Sequence, residues 1–124
     1  MIHNRELQIG NLVKHGFMYY EITKISSSHV SLMKDKFILN DIPLHRIYQV
    51  YLSEKWLLKS GFIQDQILFE KGNFAVKKWE VGGTIQWIFF LGQTKILEIK
   101  DISLHKFSNI YFIITGELLD FGDF

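Results

Sequence analysis

The chain has no cysteine, a single proline (Pro43) and almost no net charge, and each of these absences narrows what it can be. Without cysteine there is no disulfide framework, no thiolate zinc site and no thiol nucleophile, a composition suited to a reducing compartment. One proline in 124 residues excludes a proline-rich linker or ligand segment. A formal charge of +1 is too small to hold a polyanion unless cations cluster locally. The longest apolar runs, Trp87–Leu91 and Ile110–Ile114, fall far short of the roughly 20 residues of a membrane span. The opening Met1-Ile2-His3-Asn4-Arg5-Glu6 has no apolar signal segment. A cytoplasmic protein with no membrane partner is the expectation.

What is present is ample material for a core. Apolar residues make up 48% of the chain and aromatics 15%, with eleven Phe, five Tyr and three Trp, values of a folded globular protein rather than a disordered one. Charge is mildly asymmetric. Residues 1–62 carry eight Lys or Arg against five Asp or Glu, and residues 63–124 carry six against eight. Two solvated surfaces explain that balance.

Residues 7–52 read as short strands and tight turns. Leu12-Val13 and Tyr20–Ile25 alternate apolar with polar, Ser26-Ser27-Ser28 turns, and His29–Met33 returns. Lys34-Asp35-Lys36 turns again into Phe37-Ile38-Leu39. So many short strands in so few residues predict a small curled β module of SH3-like type over 1–52. A two-turn helix follows, with Ser53 at its cap, Glu54 in its first turn, Trp56, Leu57 and Leu58 as its apolar face and Gly61 beyond its end. Gly82-Gly83 then predicts a two-residue hairpin turn between Phe74–Val81 and Thr84–Leu91. A third strand spans Lys95–Ile99. Leu104, Phe107, Ile110-Tyr111 and Ile114 recur at helical spacing between Ser103 and Gly116, although Asn109–Thr115 is also rich in strand formers. The expected fold is α+β: the SH3-like module, then over 53–124 a short helix, a β-meander and a closing C-terminal helix, the two parts packing separately or as one domain.

Two segments sixty positions apart match without gaps: Asp41-Ile-Pro-Leu-His-Arg-Ile-Tyr-Gln-Val-Tyr-Leu52 and Asp101-Ile-Ser-Leu-His-Lys-Phe-Ser-Asn-Ile-Tyr-Phe112. Upstream the match dissolves, so convergence on a shared local task, leaving a strand and entering the next element, or chance, accounts for it better than duplication of a unit. Three stretches together carry a wider likeness: Leu7-Gln-Ile-Gly-Asn-Leu-Val13, Ile47 through Trp56-Leu-Leu-Lys-Ser-Gly-Phe62, and Leu104-His-Lys-Phe-Ser-Asn-Ile-Tyr-Phe-Ile-Ile-Thr-Gly116. In that order the chain resembles a family of short bacterial proteins, uncharacterised, carried by prophages and mobile elements. The approach Gln49-Val50-Tyr51-Leu52 departs from that family, whose members commonly have a proline there. The resemblance implies a cytosolic accessory protein of mobile DNA and carries no catalytic residues with it.

Catalysis needs convergent groups, and the candidates are sparse. His3, His15, His29, His45 and His105 are dispersed in the sequence. His45 and His105, with Asp41 and Asp101, would form a metal site only if the two echoed segments met; surface or capping histidines are the plainer reading. Glu70, Glu80 and Glu98 lie on neighbouring strands as solvent-facing alternates or as acid–base candidates, and no glycine-rich phosphate loop is present. The expectation is therefore a non-enzyme with no cofactor and no metal.

Binding has the better case. The hairpin register puts Trp79, Ile88 and Phe90 on one face and Trp87, Phe89 and Leu91 on the other, and a chain this small buries one face in its core. The other face must be covered by the residues 7–52 module or by a partner, and Trp79, Ile88 and Phe90 are the candidates for contact with a host protein or ribonucleoprotein complex, or with a second copy of the chain. Lys77 and Lys78, beside Trp79 and Trp87, are the candidates for weak, salt-sensitive nucleic-acid contact, with Lys78 placed opposite Trp87 for a cation–π contact within the fold. The function expected is a non-enzymatic protein-binding module of mobile-element origin, such as an anti-CRISPR-like inhibitor of a bacterial defence nuclease complex. The alternative is a nucleic-acid-binding accessory protein.

Overall fold

The computed structural model describes residues 2–124. It is an α+β structure with two antiparallel sheets and a C-terminal helix, divided into two compact units.

The first unit holds a four-stranded sheet in sequence order: β1 (Leu12–His15), β2 (Met18–Ile25), β3 (His29–Lys34) and β4 (Phe37–Pro43). Its register aligns Ile22, Leu32 and Leu39 across three strands and Val30 with Ile42. These residues join Ile2, Leu7, Val13 and Ile47 in one apolar core. Register shifts at Ile22/Lys24 and at Val30/Leu32 give the sheet its bulges, which sharpen strand twist. After β4 a 3-10 turn at Leu44–Arg46 sends the chain back. Tyr48 then pairs with Lys14 through two backbone hydrogen bonds of 2.9 and 2.7 Å, returning the end of the segment to the first strand.

The C-terminal helix α2 (Leu104–Thr115) also belongs to this unit. Ser103 stands at its N-cap in extended conformation, and Gly116, at φ +76°, ends it by returning its N–H to the Phe112 carbonyl. The helical spacing of Leu104, Phe107 and Tyr111 is that of their burial, so the helical reading of this segment holds over its strand propensity. A cut of the chain into 1–52 and 53–124 leaves α2 with the second sheet. The structure places it with the first unit, where His105 and Asn109 bond to Glu6 and Asn11 of the N-terminal segment.

The second unit comprises Leu52–Ile102 with Asp120–Gly122. Helix α1 (Glu54–Lys59) is followed by a five-stranded meander: β5 (Ile63–Asp65), β6 (Leu68–Lys71), β7 (Phe74–Val81), β8 (Thr84–Leu91) and β9 (Thr94–Lys100). The β7–β8 hairpin pairs Val81 with Thr84 through Phe74 with Leu91, with Gly82 and Gly83 at φ +59° and +79°. Both turn residues need positive φ, which glycine adopts without the Cβ clash. Phe69, Phe74, Val76, Trp87 and Phe89 are buried, as are Trp56, Leu57 and Phe62. The Phe74 ring meets Phe62 edge-on at 6.2 Å and Phe89 at 6.0 Å. Phe121, beyond the C-terminal helix, is buried with its ring edge-on to Trp56 at 5.8 Å. Among the described residues no helix is long and apolar enough to cross a membrane.

Candidate protein-binding face

Alternation along β7 and β8 sorts the large side chains onto two faces. Phe74, Val76, Trp87 and Phe89 fill the buried face, with Trp87 only 1% exposed. Ala75, Lys77 and Trp79 of β7 and Gln86, Ile88 and Phe90 of β8 form the outer face, where Trp79 is 46% exposed and Ile88 and Phe90 are half-buried. The meander extends that face in rows. One runs Asp65, Leu68, Lys77, Ile88, Glu98; another runs Ile63, Glu70, Ala75, Phe90, Lys95; a third joins Trp79, Gln86 and Lys100. Trp79, Ile88 and Phe90 thus share one surface with Lys77, and Lys78 lies on the opposite face.

The electrostatics of the two lysines differ from the expected arrangement. Lys78 does pair with Trp87 in register, but its ammonium lies 3.3 Å from Glu80 and 3.8 Å from Glu54. Two carboxylates within reach outcompete the ring quadrupole for a partly solvated ammonium. The cation–π contact belongs instead to Lys77, whose Nζ is 5.1 Å from the centroid of Trp79. Lys95 donates to Glu98 at 2.7 Å. Of the three glutamates considered for acid–base work, Glu80 and Glu98 are engaged by lysines and Glu70 stands apart on the outer face.

The histidines do not assemble. His45 is exposed in the Leu44–Arg46 turn, and His15 Nδ1 lies 2.9 Å from the Arg46 carbonyl. His105 is fully buried, its Nε2 3.1 Å from Glu6 Oε2 and its Nδ1 unpartnered. The surface reading of His105 is therefore replaced by a buried one. Burial pushes its imidazole below the usual histidine range, against the pull of Glu6. Burial would raise the Glu6 carboxyl, but hydrogen bonds from His105 and the His3 N–H, and the Lys106 ammonium at 3.7 Å, hold it below its usual range. The neutral ring donates Nε2–H to an ionised carboxylate. Glu6 and Lys106 also line a cleft of about 490 Å³ with Tyr48 and Tyr51. Nothing local marks the pairing in sequence, since Glu6 and His105 are 99 positions apart. No group of three or more His, Asp or Glu among the described residues could hold a metal ion.

Fold and site together define an α+β protein of two antiparallel sheets with a mixed apolar and charged outer face. No family model, curated protein or solved structure matches the chain.

Proposed function

We propose that the chain is a non-enzymatic protein-binding module whose docking face is the outer surface of the five-stranded sheet, centred on Trp79, Ile88 and Phe90. The observation that carries this reading is a half-exposed Trp79 on a sheet face with half-buried Ile88 and Phe90 and the largely exposed Ile63 at its edge. Exposed tryptophan backed by apolar neighbours is the composition of interface anchors. Charge on the face supports a protein over a polyanion: Lys77, Lys95 and Lys100 are matched by Asp65, Glu70 and Glu98, and Lys95 is already paired. The resemblance to mobile-element proteins makes a host defence nuclease complex the target class, an anti-CRISPR-like inhibition by occupancy. The first unit is read as an SH3-like module, supported by its four curled strands, the 3-10 turn and the return of Tyr48 to β1.

A second reading, nucleic-acid binding, draws on Lys77 lying over Trp79 beside Phe90 and Lys100, since basic residues among aromatics on a sheet suit stacked bases. One experiment separates the two. The tagged full chain and its Trp79→Ala variant are used to capture partners from bacterial host lysate with and without nuclease. A stoichiometric protein that survives nuclease and is lost with Trp79→Ala, at unchanged melting temperature, is the expected result. Capture equal in both proteins overturns the assignment of the face; nuclease-sensitive capture moves the reading to nucleic acid.

A further inference from the structure

The outer face of the five-stranded sheet is not level. In the row Ile63, Glu70, Ala75, Phe90, Lys95 the central side chain is a methyl group, and a trough of about 600 Å³ opens there. Ala75, Leu68 and Phe90 give it apolar lining, and Asp65, Glu70 and Lys77 give it charge. Among the described residues no cation pairs with Asp65 or Glu70. The two nearest lysines on the face are occupied. Lys77 holds its ammonium 5.1 Å from the Trp79 ring, and Lys95 is bonded to Glu98.

The trough therefore combines an apolar floor with two carboxylates that have no ion-pair partner among the described residues, and its one lysine, Lys77, lies over the Trp79 ring. A purely apolar occupant would strip water from both carboxylates without replacing its hydrogen bonds, which is costly, and an anionic one would be repelled. A long aliphatic stem ending in a cation satisfies both parts, with the stem lying along apolar surface and the charge meeting the acids. We propose that this trough receives a short segment of the partner protein through an arginine or lysine side chain, its stem over Ala75 and Leu68 against Phe90 and its head between Asp65 and Glu70. The volume exceeds a single side chain, which suits a segment of several residues. This inference rests on the docking role of the outer face and names the chemistry that face selects.

The test is an NMR titration of the full chain with two probe peptides, acetyl-Ala-Leu-Arg-Leu-Ala-amide and the same peptide with norleucine for arginine. The arginine peptide shifts the Ala75 methyl and Glu70 amide resonances, and it binds at least about tenfold more tightly than the norleucine peptide, a difference of about 1.4 kcal/mol. Asp65→Asn with Glu70→Gln, both at exposed positions, removes that preference while the melt stays cooperative. Equal binding of the two peptides, an unmoved Ala75 methyl, or a preference that survives the double substitution overturns the proposal. The docking role is scored separately by partner capture with Trp79→Ala. Loss of capture together with a failed peptide titration leaves the docking face standing and the cation preference refuted. Arginine-selective binding with capture indifferent to Trp79→Ala leaves the trough standing and refutes the wider face.

Discussion

His105 and Glu6 make the first unit acid-sensitive through two individual groups. Each has its folded pKa held below the unfolded value, 6.5 for the histidine and 4.5 for the glutamate. The unfolded chain therefore binds more protons at these sites on the acid side, and the folded state gains stability as pH rises. That contribution is complete above about pH 6.5, begins to fall as unfolded His105 takes up its proton, and falls further as Glu6 titrates. Melting temperature is expected to drop steadily from pH 7 to pH 4. His105→Gln should flatten the upper part of that drop and Glu6→Gln the lower; a wild-type slope between pH 7 and 5 in His105→Gln would refute the assignment. A chain of amides lies beside this pair. The Gln8 N–H donates to Asn11 Oδ1 at 2.7 Å, Asn11 Nδ2 to Asn109 Oδ1 at 2.8 Å, and Asn109 Nδ2 to the Glu6 carbonyl at 2.8 Å. Asn109→Ala strands a partner at both ends and should cost about 1–3 kcal/mol. Combined with Asn11→Ala the losses should be less than additive, because one chain is broken twice; full additivity in the denaturation cycle would count against a shared network.

Elements were legible where local chemistry speaks, and β7–β8 shows it best. Two glycines at the turn set the register, and the register decides which tryptophan is core. Trp87→Ala should cost about 3–5 kcal/mol as a buried truncation, whereas Trp79→Ala should stay within about 0.5 kcal/mol, as exposed positions do. Gly83→Val forces a branched side chain into the left-handed region and should cost about 1–2 kcal/mol; a neutral result in urea melts would mean the turn rearranges. Other elements left weaker traces. The β5–β6 hairpin turns through Gln66 at φ +57°, a residue that gives no turn signal. The echo of Asp41-Ile-Pro-Leu-His and Asp101-Ile-Ser-Leu-His now has a physical account. Both aspartates sit at positive φ, +57° and +48°, and both precede a helical turn beginning at Leu44 or Leu104. The shared motif is the same exit from strand to helix, and the two histidines that follow have different fates because one turn stops at Arg46 and the other continues for 12 residues.

At the scale of the whole molecule, composition spoke of balance: a formal charge of +1, with Lys95 on the outer face and Lys78 on the opposite one each held by acidic partners. Binding to a single-stranded oligonucleotide should accordingly be weak, and replacing Lys77 and Lys78 together should change its salt slope little, because Lys78 is held by Glu54 and Glu80. A slope reduced by about 1.4 would show that both lysines contact phosphate on the single strand. The candidate face was readable from strand alternation alone, whereas the trough over Ala75 was not, since it depends on which side chains four neighbouring strands place around one methyl group.

The membership of α2 in the first unit has a consequence for how the protein is made. Residues up to Tyr51 leave the ribosome long before Ser103–Leu119, yet the bonds from Glu6 and Asn11 to His105 and Asn109 join the two ends of the chain. The second unit draws nearly all of its residues from one continuous stretch, Leu52–Ile102, so it can settle during translation, while the nascent first sheet waits for the helix that completes its unit. A chain released after Ile102 should accordingly keep a cooperative second unit and leave the first sheet open to chaperones and proteases.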